Sequence, residues 1–172
     1  YDSMLAEEQK VEFINGEVII HSPVKKRHND ISMNIFQMLN TFVVKNDLGF
    51  VGHEKIMIRL TRNDYEPAVC YFDGEQTASF ADDTSLFPPP RLVVEVLSAK
   101  TAGRDRGIKF EDYEKHRIPE YWIVNPEAAA ITVLTPADNS YRKHGLFRRG
   151  ETATSLLLPG FTVAVAAVLA AE

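Results

Sequence analysis

Glu95 and Lys109 are the residues whose types and spacing first suggest chemistry. Glu95 sits in "RLVVEVLSAKT", flanked by Leu92, Val93, Val94, Val96 and Leu97. A run this rich in Val and Leu, directly after "FPPP", reads as a buried strand. An unpaired carboxylate there is costly or takes up a proton. Lys109 falls in the next helical stretch, with Asp105 and Tyr113 one turn away on either side. Glu12 lies in an opening hairpin and Glu66 precedes Pro67. A hard cation such as Mg²⁺ needs several oxygen ligands and keeps some waters. Strand carboxylates and a main-chain carbonyl can supply them. A lysine beside such a metal could orient water or stabilise a phosphorane-like transition state. That would give Glu95 a reason to stay ionised inside a core.

Each residue also has a plainer reading. A glutamate in an apolar strand can face solvent on a half-covered sheet or pair with an arginine. A lysine on an amphipathic helix is ordinarily solvated. Tyr121 and Trp122 fit a core better than a stacking platform, and the "KKR" run before His28 fits a solvated face. "SYRKHGLFRRG" carries Arg142, Lys143, Arg148, Arg149 and His144 without an acid. Such a hairpin points modestly to a polyanion and is also common on plain surfaces.

The elements that must position these residues follow from pattern. In "KVEFINGEVIIHS", Asn15-Gly16 supplies a tight turn between two strands. Ser22-Pro23 predicts a helix start. Ile31, Ile35, Met38, Leu39, Phe42 and Val43 recur at helical spacing, and "NDLG" ends that helix near Gly49. "EKIMIRL", "YEPAVCYF" and 91–98 read as strands, with "DG" closing the second and a polar, proline-rich surface loop over 75–90. A helix is expected from about Asp105 to His116, stopped by Pro119. "EYWIVNP", a strand pair over "AAITVLT" and "SYRKHGLFRRG", a short strand at "TSLLLPG" and a helical alanine-rich tail complete the chain. The expected class is α/β (α+β), a mixed sheet flanked by helices with an N-terminal hairpin and C-terminal antiparallel strands.

The totals bound the reading. The 172 residues fit one domain, residues 1–172, with a sizeable core. Apolar residues make up 45% and charged residues 25%, an ordinary globular profile. A net charge of −5 requires any polyanion site to be a local patch. The lone Cys70 excludes an internal disulfide and a cysteine-based zinc site, and its apolar context suggests a buried, inert thiol. Histidines at 21, 28, 53, 116 and 144 show no paired metal spacing. No Gly-rich phosphate loop or nucleophile elbow occurs. Nothing resembles a signal peptide, and the tail "FTVAVAAVLAAE" is too short to span a bilayer. A cytoplasmic location without membrane contact is the expectation.

"VEFINGEVI", "RHNDISMNI", "YEPAVCYF", "LVVEVLSAKT" and "RDRGIKFEDYEKHRIPEYWIVNP" occur in that order. As an ordered set they resemble the Uma-two family of restriction endonucleases, within the PD-(D/E)XK nuclease superfamily, from about Glu7 to Leu158. The resemblance implies a restriction-endonuclease-like core and hydrolysis of DNA phosphodiester bonds with Mg²⁺ (or Mn²⁺). It maps the metal-binding Glu onto Glu95. The superfamily lysine, two residues on, is Leu97 here, and Lys109 matches the position to which the family has moved it. Glu12 matches an acid of the first motif, for metal or water. Asp105, Tyr113 and His28 match supporting positions. A metal would then sit at Glu95 with Glu12 and the Val96 carbonyl. DNA would contact Lys25, Lys26 and Arg27 and the basic hairpin at Arg142 and Lys143.

One departure bears on activity. The family pattern at the second strand is Pro-Asp, and here Pro67 is followed by Ala68. A methyl group stands where a metal carboxylate is expected, with Glu66 two residues earlier. Two functions stay open: a metal-dependent endonuclease, inactive in this chain if Ala68 breaks the site, or a non-catalytic DNA-binding or protein-assembly module on the same scaffold. Sheet edges and the apolar tail make a homodimer plausible.

Overall fold

The asparagine-glycine turn folds as its residues require. In the computed structural model, which describes residues 10–170, β1 (Val11–Ile14) and β2 (Glu17–Ile20) pair antiparallel. Asn15 and Gly16 take φ of 51° and 85°, the left-handed pair that this turn demands. The chain continues through α1 (Lys26–Lys45), β3 (Gly49–His53), β4 (Met57–Arg59), β5 (Asp64–Tyr65), β6 (Val69–Asp73) and α2 (Gly74–Ala78). Then come β7 (Leu86–Phe87), β8 (Leu92–Val96), α3 (Ala102–Asp105), α4 (Ile108–Lys115), β9 (Glu120–Asn125), β10 (Ala130–Ala137) and β11 (Ser140–Arg148). It closes with β12 (Thr152–Thr154), β13 (Thr162–Ala164) and α5 (Val165–Val168).

The strands form a central six-stranded sheet in the order β11-β10-β9-β8-β6-β3 and a five-stranded sheet in the order β2-β1-β5-β4-β7. β12 and β13 pair separately. In the central sheet β8 and β9 run parallel and the other neighbours antiparallel. The expected mixed α+β architecture is therefore present, distributed over three sheets.

Both faces of the central sheet are covered. Ile31, Ile35, Leu39 and Val43 of α1 pack on one side against Val94, Val96 and Val124. Tyr113 of α4 packs on the other side with Val93, Leu97 and Tyr121, beside Ile58 and Tyr65 of the five-stranded sheet. Alternation along β8 sends Val94 and Val96 to the α1 side and Val93 and Leu97 to the α4 side. Glu95 therefore faces α4. Two-sided burial explains the nearly continuous apolar run around it.

Several elements depart from expectation. The first helix begins at Lys26, with Lys25 as an extended cap making no side-chain cap bond. His21 N–H still bonds Lys10 C=O, so the hairpin continues past β2 and Ser22 cannot cap a helix. Asp73 does not close a turn. It caps α2 through a reciprocal pair with Gln76, and the expected loop over 75–90 contains α2 and β7. The helix expected from Asp105 to His116 is two helices, broken at Arg106-Gly107. A Cβ on Gly107 would lie 2.7 Å from the Gly103 carbonyl oxygen, so the break needs glycine. "TSLLLPG" is mostly a turn after β12, and the tail holds β13 and only the short α5.

Candidate active site

Glu95 projects from β8 toward α4, where Lys109 and Tyr113 meet it. The Lys109 ammonium donates to Glu95 Oε1 at 3.0 Å, and the Tyr113 hydroxyl donates to the same oxygen at 2.9 Å. The hairpin supplies the other wall. Glu12 Oε1 lies 2.7 Å from Lys109 Nζ, and Asp105 Oδ1, one turn back across the helix break, lies 3.4 Å away. Four charged residues thus converge: Glu12 at 0% exposure, Asp105 at 1%, Lys109 at 3% and Glu95 at 5%. The solvated-lysine and solvent-facing-glutamate readings do not hold. The Tyr65 ring lies 5.5 Å from the ammonium, adding a cation–π contact.

The charges do not balance locally. Three carboxylates surround one ammonium, and among the described residues Asp105 Oδ1 has no hydrogen-bond partner. Burial pushes Glu95 up to about 7, with Asp105 and Glu12 adding to the rise and Lys109 opposing it. Burial would also raise Glu12, but Lys109 and His21 outweigh it and hold that carboxyl well below its ordinary value. Burial would lower the Lys109 pKa, but its three carboxylate neighbours raise it well above the ordinary lysine value. The lysine is a fixed cation, and Glu95 is held well above the ordinary carboxylate range.

Two partners of Glu12 escaped the sequence reading. His21 Nε2 lies 2.9 Å from Glu12 Oε2, and the Glu66 backbone N–H donates to Glu12 Oε1 at 3.2 Å. The hairpin register carried the signal for His21. It pairs Val11 with Ile20, so the next pair is Lys10 with His21, on the same face as Glu12. Glu66 turns its own carboxylate to the Val11 N–H at 2.9 Å, and burial pushes its pKa up to about 7. Held there, it does not stand in for a carboxylate at Ala68. Burial lowers the His28 pKa, with Lys10 adding to the effect and Glu54 and Asp105 opposing it.

The donor set falls short of a Mg²⁺ site. Among the described residues no three His, Cys, Asp or Glu side chains are arranged to hold a metal ion. The Lys109 ammonium occupies the space between Glu12 and Glu95. Ala68 lies at a bend before β6, buried, its methyl packed with the α1-side core. One step along the β6–β8 register from Val69 and Val94 sets its backbone beside Glu95. The surplus of carboxylates suits a cation, but the ligand count does not.

The candidate DNA contacts lie elsewhere. Lys26 pairs with Asp30 at 2.6 Å, and Arg27 donates to the Pro126 carbonyl at 3.0 Å. Lys25 is exposed before α1, and Arg142 and Lys143 are exposed on β11. Tyr121 and Trp122 are fully buried, as core aromatics, and Cys70 is buried. No described helix is long and apolar enough to cross a membrane.

Comparison with known proteins identifies a family and a shared fold. Residues 1–166 match the Uma2 family, described as "Putative restriction endonuclease". An uncharacterized protein of Synechocystis, sll1609, is 28% identical over 120 residues, covering 68% of this chain and 67% of its own length. A crystal structure from Anabaena variabilis, titled as "a putative nuclease belonging to DUF820", superposes with a TM-score of 0.80 at 14% identity. The alignment covers 95% of this chain and 91% of that one, and it shows a shared fold. The chain belongs to the Uma2 family.

Proposed function

We propose that this protein is a DNA-directed member of the nuclease scaffold whose hydrolytic site is closed and one carboxylate short. The observation that carries this reading is the convergence of Glu12, Glu95 and Asp105 on Lys109 beside Ala68. An ammonium held by acids at this depth suits charge stabilisation at a phosphate. As they stand, Glu12 and Glu95 do not make up a site for Mg²⁺ or Mn²⁺, and a metal would need a further carboxylate beside them. Ala68 offers no oxygen beside Glu95, so this reading expects no cleavage from the parent chain. Metal carboxylates and positioned groups contribute on the order of 10²–10⁴-fold each.

The test is Ala68→Asp. The variant is expected to bind Mg²⁺ more tightly by calorimetry and to nick supercoiled DNA in a Mg²⁺-dependent way, while Ala68→Asn does not. If Ala68→Asp gains neither metal affinity nor cleavage, the hydrolytic reading fails. The near-complete burial of Lys109 favours the second reading, a DNA-binding or assembly module that retains the scaffold without turnover.

A further inference from the structure

A groove of about 410 Å³ crosses the central sheet on the face that carries Glu95. Register connects the two. Glu95 pairs with Ile123 on β9, Ile123 with Thr132 on β10, and Thr132 with Leu146 on β11. Ile123, Thr132 and Leu146 all line the groove, and Phe110 of α4 forms its wall. Arg106, at the break between α3 and α4, guards one side, and Arg148 at the end of β11 guards the other. Both are exposed, and among the described residues none that lines the groove is acidic, Glu151 meeting Arg148 only at its backbone N–H. Among the described residues neither guanidinium has an ion-pair partner. Lys143 pairs across the register with Leu134, another groove residue, so it stands on this face, whereas Arg142 alternates to the opposite one. In a chain of net charge −5, this is a local basic track running out from a buried acidic site.

We infer that this groove is a phosphate track for duplex DNA, with Arg106, Lys143 and Arg148 contacting the backbone and leading it to Glu95. The inference rests on the DNA-directed reading above. It assigns binding to residues outside "KKR" and to one face only of the basic strand. Three strand spacings separate Glu95 from β11, about 14 Å. That equals the axial rise of about four nucleotides of one strand. Unpaired arginines above an apolar floor without an acid complement a polyanion in charge, and arginine forks match phosphate geometry.

The experiment is fluorescence anisotropy of a short labelled DNA duplex, without Mg²⁺, over a range of salt. Arg106→Ala/Arg148→Ala is expected to bind more weakly, with a slope of log K against log salt flatter by about 1.8, two phosphate contacts at about 0.9 each. Lys45→Ala, a charge removed from the α1 side, keeps the parental slope. Circular dichroism verifies that each variant is folded. If the double variant binds with unchanged affinity and slope, the assignment is overturned. Should it instead change only the sedimentation coefficient, the groove is a contact between copies and the assignment is equally overturned. Failure here combined with Mg²⁺-dependent nicking by Ala68→Asp refutes the groove alone. A parent chain that binds no duplex at low salt refutes the DNA-directed reading with it.

Discussion

Two buried carboxylate sites lie at neighbouring strands of the same sheet and are satisfied in opposite ways. Glu120, at the start of β9, is fully buried, and the donors it meets among the described residues are neutral. Its Oε1 accepts from Trp122 Nε1 at 2.7 Å and Ser155 Oγ at 2.6 Å, and its Oε2 from the Leu156 and Leu157 N–H groups at 2.8 and 2.9 Å. Glu95 shares one lysine with two other acids, beside an Asp105 oxygen that has no hydrogen-bond partner among the described residues. At Glu120 the fold aims dipoles at a charge and closes a loop with it. At Glu95 the fold assembles more charge than it neutralises. The first arrangement is finished architecture, and the second is strained electrostatically toward a cation or a proton.

The comparison breaks hardest at Lys109. Replacing it with Met leaves three buried carboxylates without their cation, and breaking a buried pair typically costs about 3–5 kcal/mol. Urea unfolding of Lys109→Met should show that loss at neutral pH and a smaller one near pH 5, where Glu95 takes up a proton. A loss below about 1 kcal/mol at neutral pH would mean that the cluster is hydrated and not held by its lysine.

Glu120→Gln should cost less, about 1–3 kcal/mol, because an amide offers one acceptor oxygen and turns an NH₂ toward two donors. The loss should be smaller than that at Lys109, because no charge is left buried without its counter-ion. Hydrogen exchange at Leu156 and Leu157 should quicken first, since those amides lose their acceptor. A loss at Glu120 as large as that at Lys109 would erase the distinction between them.

Much of this was legible from residue pattern. The hairpin, the buried face of α1 and the convergence of Lys109 with Asp105 and Tyr113 all follow from turn chemistry and helical spacing. Glu120 was not legible, because nothing in "PEYWIVNP" reveals that residues 155–157 return to cap it. His21 was readable only by carrying the hairpin register past its last strand residue. The break at Gly107 depends on a close approach to Gly103, a contact between two helices and not a property of either. The start of α1 is not set by the local Ser-Pro signal, because the hairpin continues up to it and the helix begins only at Lys26.

The finest test of the contrast is Glu95→Gln. Glu95 has a folded pKa of about 7, above its ordinary value near 4.5, and Glu66 is raised similarly by burial. The folded state therefore holds protons that the unfolded chain has released between these values. Stability is full below about pH 4.5 with respect to these groups and falls as pH rises toward 7. Glu12, whose pKa is depressed, works in the other direction and loses its contribution only in acid. Gln mimics the protonated Glu95, so at pH 5 the substitution should change stability by about 1 kcal/mol or less. At pH 8 it should compare more favourably with the parent, and the decline between pH 5 and 8 should shrink without vanishing. Glu66 supplies the remainder, and Glu66→Gln added to Glu95→Gln should flatten the profile. A parental decline that Glu95→Gln leaves untouched would show that Glu95 is ionised throughout and that its site is as finished as that of Glu120.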